Sequence, residues 1–506
     1  MQVRVTTVSQ DDFTNWLTCP GYAWAMLHQP HLAPPENAST RRKEIDRGRI
    51  TSLARDMLPD AITIEATDPD ESVSLSRLAL DSDATAIFHP SVCTERGLRA
   101  TADLLVRDPE GWRLVAIRSS AANPEKPRTL IKKYQPELTF QFTAFEEAGI
   151  PITRASILHI DKRYRRNGSL DTDEMLGQTE LTAHVTRERG TMALQIEAAL
   201  RDLQDAGTPA PCNCHLTTRS NRCDLFEYFH PEVATRGTIY QITGIHRNTL
   251  LPALERGILH MVDWPDDLPL NPKQRQQVEL ARSGREHVDH AAIERFLSRL
   301  EGPLWFLDYE TYQEPVPRWS GYAPHQQIPF QYSLHVVDPQ TGVSHHGYLH
   351  TARGVDPVPH LLERLRHDLG DTGSVVVWNK AFEHARNEEM AALHPEHADF
   401  LHRMNARMVD LADPVKEGWW AHPSFNGSWS LKTVLPVVAP GLAYEELEIS
   451  DGATASERWI QAMIDDAADM SAADRAATLA ALDAYCHQDS LALVRIWEYL
   501  LDLITR

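Results

Sequence analysis

Alternating apolar and amphipathic stretches predict a succession of strands and helices along most of this chain. Residues 99–106 and 112–118 are expected to form consecutive strands around a turn at 108–111, where Asp, Pro and Gly are typical turn residues. Residues 138–145 are rich in aromatic and apolar positions and predict a helix.

After Pro303 the pattern changes to strands interleaved with amphipathic helices, which predicts a mixed sheet flanked by helices. Strands are expected at 304–308, 330–337 and 374–378, and helices at 361–369 and 478–501. The fold class is therefore α/β. With 506 residues the chain is too long for one ordinary core. We divide it into domains at 1–232 and 301–506, joined by a helical connector at 233–300.

The composition is that of a soluble globular protein, with 42% hydrophobic and 24% charged residues. A formal net charge of −21 argues against a broad positive surface that coats duplex nucleic acid, but not against a local basic groove. Basic residues cluster at 126–133 and at 162–166, as phosphate contacts or as solvated surface. The sequence contains neither a membrane-length apolar run nor a signal peptide at its start, so we expect a cytoplasmic location.

Two carboxylates follow an apolar run in Trp305-Phe306-Leu307-Asp308-Tyr309-Glu310. Residues i and i+2 of a strand point to the same face, so Asp308 and Glu310 are expected to crowd one spot. Two like charges held together in this way are costly unless a cation lies between them. The pair is therefore a candidate half of a metal site.

Further carboxylates occur at the expected start of a helix and near the C-terminus. Glu383 follows the strand that ends at Trp378, while Tyr485 and Asp489 are one helical turn apart on one face. Carboxylates around two Mg²⁺ or Mn²⁺ ions can activate water and offset the charge of a leaving oxygen in phosphodiester hydrolysis. Asp308, Glu310, Glu383 and Asp489 would be sufficient for such a site.

In this order, the motifs resemble those of the DnaQ-like (DEDD) 3′–5′ exonucleases, in the tyrosine branch typified by RNase D. Asp308 and Glu310 correspond to the first motif, Asn379 through Glu383 to the second, and Tyr485 with Asp489 to the third. The resemblance implies an RNase H-like fold, metal binding by the four acids, and orientation of the attacking water by Tyr485. Glu383 departs from the usual Asp, and its longer side chain can still bind a metal.

Four other polar residues are candidate substrate contacts or auxiliary residues. Ser430 and Lys432 resemble a Ser-Leu-Lys helix start that faces the substrate strand in RNase D-like enzymes, and a helix N-terminus suits a phosphate. A simple N-cap would explain the serine equally well. Asn379 belongs to the second motif. Asp410 is either an auxiliary acid or, more simply, a strand-end or N-cap residue.

The N-terminal domain resembles the RecB-like branch of the PD-(D/E)xK nucleases. Asp103, the strand ending at Arg118, and Gln141 on the next helix correspond to that family's motifs. However, Ala116 stands in place of the second acid, Arg118 in place of the lysine, and Phe145 in place of the tyrosine. Losing a metal-binding acid removes much of the charge that holds the ion. We therefore expect no cleavage by this domain and a binding role for Arg118 and Gln141.

The chain contains six cysteines, which is too few for a disulfide framework at this length. Cys212, Cys214 and Cys223 lie in one short loop, and Cys19 lies far upstream. They are either ordinary loop cysteines or ligands of zinc or an iron–sulfur cluster. Related RecB-like nucleases hold a 4Fe-4S cluster on one early and three late cysteines, and these four residues resemble that set. The usual last cysteine corresponds to Phe229 here.

The segment from Asp308 through 335 also resembles a prokaryotic family of unknown function whose members join a RecB-like to a DnaQ-like region. Two hypotheses follow. The first is a metal-dependent 3′–5′ exonuclease that acts on single-stranded DNA or RNA ends. The second is a non-catalytic nucleic-acid-binding scaffold or defence-complex subunit built on degenerate nuclease folds.

Overall fold

The computed structural model describes residues 6–35, 37–218, 222–233, 235–442, 444, 447–464 and 470–505. Its contacts group the chain into two compact units. Unit 1 contains Met1–Ala234 and Glu314–His325, and unit 2 contains Thr235–Gln313 and Gln326–Arg506. Both are mixed α/β structures, which confirms the predicted fold class at this level.

Unit 1 is built on a six-stranded mixed sheet. The elements of this unit are β1 (Val8–Ser9), α1 (Gln10–Thr18), α2 (Pro20–His28), α3 (Ala38–Asp56), β2 (Ile62–Thr63), α4 (Pro69–Leu80), β3 (Ala86–Phe88), β4 (Ser91–Cys93), β5 (Leu98–Thr101), β6 (Leu104–Asp108), β7 (Gly111–Ala122), α5 (Arg128–Glu147), β8 (Ile152–Asp161), α6 (Thr172–Met175), β9 (Leu176–Glu180), α7 (Thr182–Gln204) and α8 (Phe226–Phe229).

The strand order in this sheet is β2-β3-β6-β7-β8-β9, and β1, β5 and β4 form a smaller sheet. Strands β7 and β8 are parallel, and α5 is the crossover between them, as parallel pairing requires. Residues from α1, α5 and α7 pack into one large hydrophobic core, whereas α3 contributes to a second one. The sheet is therefore covered by helices and buried.

Unit 2 is built on a five-stranded sheet. The elements of this unit are α9 (Arg247–Glu255), α10 (Pro272–Ser283), β10 (His287–Val288), α11 (His290–Leu297), β11 (Leu304–Tyr312), β12 (Ile328–Asp338), β13 (Gly342–Leu349), α12 (Pro357–Asp368), β14 (Val375–Val377), α13 (Lys380–Leu393), α14 (Ala398–Ala406), β15 (Met408–Asp410), α15 (Asp413–Lys416), β16 (Trp420–Ala421), α16 (Leu431–Val438), α17 (Gly452–Met463) and α18 (Ala472–Thr505).

The strand order in the five-stranded sheet is β13-β12-β11-β14-β15. The first two pairs are antiparallel, and the pairs β11–β14 and β14–β15 are parallel. Helix α18 packs across β11 and β12, and α17 packs on β11. The register of β11 and β12 shifts after Glu310, and such bulges are common next to functional sites. The sheet thus presents the C-terminal half of β11 to α17 and α18.

The structure corrects one predicted strand. Residues 99–106 do not form a single strand, because the chain leaves the small sheet after Thr101 and enters the six-stranded sheet at Leu104. Between the two strands the Asp103 carboxylate accepts a hydrogen bond from the Ile117 backbone N–H at 2.8 Å. The expected turn and the second strand are present, as β6 and β7 form a hairpin with Asp108 opposite Gly111.

The segment 233–300 is largely helical, as expected, but it also contains β10, which pairs with β16. Apart from its first two residues it is grouped with unit 2. Among the described residues, no helix has both the length and the apolar character needed to cross a membrane.

Candidate functional site

Three carboxylates converge where β11 passes beneath α18. One oxygen from each of Asp308, Glu310 and Asp489 lies within 4.8 Å of the others. Asp308 and Glu310 share a strand face, and α18 brings Asp489 onto that face from far along the chain. Glu310 and Asp489 are almost completely buried, with 7% and 6% exposure. The structure therefore brings the first and third motifs together.

Crowding and burial make these carboxylates difficult to ionise in the absence of a cation. Burial, with the charges of Asp489, Glu310 and Glu383, raises the pKa of Asp308 well above its usual value. Burial and the nearby Asp489 charge do the same to the pKa of Glu310. Burial raises the pKa of Asp489 to about 6. A divalent ion among these oxygens would favour their charged forms.

Glu383 lies in the first turn of α13 and adds a fourth buried carboxylate, with 3% exposure. It lies outside the close group of three, but its charge raises the pKa of both Asp308 and Glu310. Burial raises the pKa of Glu383 itself to about 8. Its Oε2 atom is buried and has no hydrogen-bond partner within the described ranges, although a buried polar atom normally has one.

Asp410 holds the turn that leads into α13 and is not among the close carboxylates. Its carboxylate accepts hydrogen bonds from the backbone N–H groups of Asn379 and Lys380, both at 3.0 Å, and pairs with Lys416 at 2.8 Å. This confirms the simpler interpretation of Asp410 as a capping residue. Asn379 adopts a left-handed conformation with φ of 69°, which Asn tolerates better than most residues.

Two tyrosines and a lysine surround Asp489. The Tyr444 hydroxyl donates a hydrogen bond to Asp489 Oδ1, and Tyr485 also helps to lower the pKa of Asp489 by hydrogen bonding. The Lys432 ammonium lies 5.5 Å from the centre of the Tyr444 ring and 5.6 Å from that of Tyr485. Its charge lowers the pKa of both Glu310 and Asp489. Lys432 therefore lies beside the carboxylates, and its role as a substrate contact stays a prediction.

The start of α16 carries the other predicted substrate contact. Ser430 is exposed and occupies the N-cap position, but its side chain makes no capping hydrogen bond within the described residues. The preceding Trp429 is 39% exposed, and the Lys416 ammonium lies 4.1 Å from the centre of its ring. The Trp378 indole N–H donates to the Trp429 carbonyl at 3.1 Å. This bond ties the start of α16 to the end of β14, just before Asn379.

In unit 1, an arginine side chain neutralises the acid that corresponds to a metal ligand in the RecB-like pattern. Arg118 donates hydrogen bonds to Asp103 and, at 2.5 Å, to Glu137. Arg47 also pairs with Asp103. Because of the Arg118 and Arg47 charges, the pKa of Asp103 is lowered despite its burial. In the RecB-like pattern a metal ion would balance the charge of this acid. Here the Arg118 and Arg47 guanidinium groups balance the charge of Asp103.

The two unit 1 residues expected to bind substrate are buried. Arg118 is 6% exposed, and Gln141 is 1% exposed and donates to the Thr101 carbonyl at 2.9 Å. Ala116 and Phe145, which replace an acid and a tyrosine of the pattern, lie in the hydrophobic core. These contacts favour structural roles for Arg118 and Gln141 over direct contact with a phosphate.

The four cysteines singled out in the sequence come together in unit 1. One sulfur from each of Cys19, Cys212, Cys214 and Cys223 lies within 4.8 Å of the others, and the Cys19 and Cys212 sulfurs are 3.5 Å apart. Cys19 is the N-cap residue of α2. Hydrogen bonding from Cys223 lowers the pKa of the Cys19 thiol to about 5. All six cysteines are free thiols. This cysteine cluster could hold a metal that links α2 to the loop after α7.

Sequence reasoning missed Tyr444, Asp451 and a group of three histidines. Asp451 caps α17, and its charge contributes to the raised pKa of Glu310. Neither Tyr444 nor Asp451 belongs to a recognisable motif, so no local signal could have identified them.

Part of unit 2 is similar to a known protein family. Residues 305–430 match the model of a domain of unknown function, DUF2779. This range includes Asp308, Glu310, Asn379 and Glu383, and it ends at Ser430, before Tyr485 and Asp489. No curated protein matches the chain.

Proposed function

We propose that unit 2 is a metal-dependent 3′–5′ exonuclease that hydrolyses phosphodiester bonds at single-stranded DNA or RNA ends. The observation that carries the proposal is the convergence of Asp308, Glu310 and Asp489 within 4.8 Å, with Glu383 and Tyr485 beside them. The strand order of the five-stranded sheet supports an RNase H-like, DnaQ-type fold. The 3′–5′ direction of cleavage is inferred from the resemblance to the tyrosine branch of the DEDD exonucleases.

The donor set suits hard divalent cations. Asp308, Glu310, Glu383 and Asp489 offer only oxygen ligands, which Mg²⁺ and Mn²⁺ prefer. The Glu383 Oε2 atom, which has no hydrogen-bond partner among the described residues, and the raised carboxylate pKa values fit a site that is completed by positive charge. We name these four residues the acidic site. Two Mg²⁺ or Mn²⁺ ions bound there would offset the negative charge that develops on the phosphate and help to ionise the attacking water.

The surrounding residues would position the substrate and the water. In the proposal, Tyr485 orients the attacking water through its hydroxyl, as the resemblance implies. Lys432, at the acidic site, would pair with a phosphate, and the Ser430 hydroxyl and the N–H groups that begin α16 would bind the next phosphate. Asn379 would contact the terminal nucleotide.

Removing the Tyr444 hydroxyl should alter the pH dependence of hydrolysis. The Tyr444 hydrogen bond lowers the pKa of Asp489, so this pKa should rise in Tyr444→Phe and protons should compete with metal up to a higher pH. We expect the rate at pH 6 to fall several-fold more than the rate at pH 8.5. Tyr485→Phe should instead lower the rate at both pH values. Equal losses at both pH values in Tyr444→Phe would contradict this role.

Trp429 is expected to stack on a base of a single strand. It is exposed, lies beside Lys416, and precedes the helix start that would bind phosphate. Stacking is worth about 1–3 kcal/mol per base, so Trp429→Ala should weaken oligonucleotide binding by about 5- to 150-fold. Fluorescence anisotropy without divalent ions measures this directly. Trp429→Phe should retain most of the affinity, whereas wild-type affinity in Trp429→Ala would exclude the stacking role.

Unit 1 is proposed to be a RecB-like PD-(D/E)xK domain that no longer cleaves. Asp103, the one acid of the PD-(D/E)xK pattern that remains, is paired with the buried Arg118 and the exposed Arg47, so a metal would have to displace both guanidinium groups. Exposed basic residues at 126–133 and 162–166 are the remaining candidates for phosphate contact in this unit.

The cysteine cluster is expected to bind either one zinc ion or a 4Fe-4S cluster, since thiolates suit both. Its free thiols are also consistent with the reducing environment of the cytoplasm. Metal analysis of anaerobically purified protein should find zinc, or iron with sulfide, in a stoichiometric amount that Cys19→Ser removes. Cys93→Ser, a free cysteine outside the cluster, is the control. Protein that contains no zinc, iron or sulfide would exclude metal binding by the cysteine cluster.

Release of nucleotides from single-stranded DNA and RNA tests the proposed activity. We expect acid-soluble nucleotides to appear with Mg²⁺ or Mn²⁺ and to vanish with EDTA. The alternative is a non-catalytic nucleic-acid-binding scaffold or defence-complex subunit, which the altered unit 1 site and the Glu383 replacement favour. Calorimetric titration separates the two, because a scaffold should not bind two Mn²⁺ ions at the acidic site.

A further inference from the structure

Three histidines from different elements of unit 2 meet on the sheet face that also carries the acidic site. His335 lies on β12, His345 on β13 and His487 on α18. One ring nitrogen from each lies within 4.8 Å of the others, and the ring centres are 4.4–4.8 Å apart. Strand register explains the contact between His335 and His345, because these two residues are directly opposite each other in the β12–β13 pair.

Two of the three rings are held by hydrogen bonds to serine hydroxyls, each through one ring nitrogen. His335 Nδ1 is 2.8 Å from the Ser490 hydroxyl, and His345 Nε2 is 2.8 Å from the Ser333 hydroxyl. The two serine hydroxyls are themselves 2.6 Å apart. Each of these rings therefore retains one other nitrogen. Histidines that bind metals usually have their second nitrogen held by such a partner, which fixes the tautomer and ring orientation.

We propose that His335, His345 and His487, here called the histidine cluster, bind a divalent zinc-type ion. Imidazole nitrogens bind zinc at about 2.0–2.1 Å, which places the nitrogens of a tetrahedral site about 3.3 Å apart. The ring nitrogens, which lie within 4.8 Å of one another, would have to close to this spacing around the ion. Three protein ligands leave the fourth position to water. This site would be separate from the acidic site, whose oxygen ligands prefer Mg²⁺ or Mn²⁺.

A bound ion would connect the β12–β13 hairpin to α18. His487 lies between Tyr485 and Asp489 on this helix, and Ser490 completes the hydrogen-bonded layer beneath the rings. The ion would therefore hold α18 in register with the sheet and stabilise unit 2. This effect does not require hydrolysis and can be measured whether or not unit 2 is a nuclease.

The test compares His345→Ala with the neighbouring His346→Ala, both in the full-length chain carrying Asp308→Asn to disable the acidic site. His345 is exposed enough to be replaced without loss of the fold, and His346 is not part of the cluster. After equilibrium dialysis against zinc, His345→Ala should contain one equivalent less than His346→Ala. Its remaining affinity at this site should be lowered by more than about 100-fold, because even outer partners contribute about 10–100-fold.

Thermal unfolding supplies a second readout. Both variants should unfold at similar temperatures in EDTA, and zinc should raise the unfolding temperature less in His345→Ala than in His346→Ala. Cobalt titration distinguishes the ligands, because cobalt in the cysteine cluster gives thiolate charge-transfer absorption and cobalt on histidines does not. Equal zinc content and equal zinc-induced stabilisation in the two variants would overturn the proposal and leave a group of imidazole rings in tilted and edge-on contact.

Discussion

Asp308→Asn is expected to abolish metal-dependent nucleotide release, with a loss on the order of 10³-fold or more. Asp308 belongs to the close group of three carboxylates and interacts electrostatically with Asp489, Glu310 and Glu383. Asparagine has nearly the same shape as aspartate, so the substitution removes a negatively charged metal ligand and keeps the side-chain volume. Because the metal-free carboxyl already favours its neutral form, the amide should be tolerated by the fold. Initial rates with excess Mn²⁺ measure the effect.

The matched control is Asp338→Asn, at the end of β12. Asp338 Oδ1 accepts a hydrogen bond from the Gln340 backbone N–H at 2.6 Å, and an asparagine oxygen can do the same. This variant should retain wild-type activity. Residual activity that is equal in Asp308→Asn and Asp338→Asn would show that the acidic site does not carry the reaction.

Glu383→Gln is expected to stabilise the metal-free protein at high pH. Burial raises the pKa of Glu383 to about 8 from an ordinary value near 4.5, so the folded state binds this proton more tightly than the unfolded state. The wild-type protein should therefore lose stability as pH rises between these values. Each pKa unit corresponds to about 1.4 kcal/mol, and the loss amounts to a few kcal/mol. Glutamine removes this loss.

Calorimetry in EDTA at pH 5.5 and pH 8.5 tests this expectation. At pH 8.5 the unfolding temperature of Glu383→Gln should exceed that of the wild type by about 5–10 °C, and at pH 5.5 the difference should be less than half as large. Mn²⁺ should stabilise the wild type more than the variant. Glu363→Gln, which changes an exposed acid on α12, should follow the wild type. The same pH dependence in Glu383→Gln and the wild type would refute the buried-acid interpretation.

The acidic site could be predicted because each part of it lies within a short motif. Strand alternation placed Asp308 beside Glu310, and one helical turn placed Tyr485 beside Asp489, so local geometry sufficed for each pair. Their convergence rested on resemblance alone. Tyr444 could not be found, because its contact with Asp489 depends on how a loop packs against α18.

Residue types that are rare in the chain, such as cysteine, were easier to group into a candidate site from the sequence than more common types, such as histidine. The cysteine cluster unites Cys19 with three residues of a distant loop, and the small number of cysteines made this grouping accessible from the sequence. The histidine cluster had a weaker signal. The turn after Asp338 fixes a hairpin register that places His335 opposite His345, but the approach of His487 depends on the docking of α18. The break between β5 and β6 was missed because the Asp103 contacts that accompany it are tertiary.

Digestion of a single-stranded oligonucleotide labelled at its 5′ end tests the central claim most directly. With Mn²⁺, the wild-type protein should shorten the labelled strand progressively from its 3′ end, and a 3′ label should be released at once as a mononucleotide. Asp489→Asn should leave both substrates intact. No shortening of either DNA or RNA by the metal-loaded wild type, or equal shortening by wild type and Asp489→Asn, would contradict the assignment of the acidic site as a two-metal exonuclease centre.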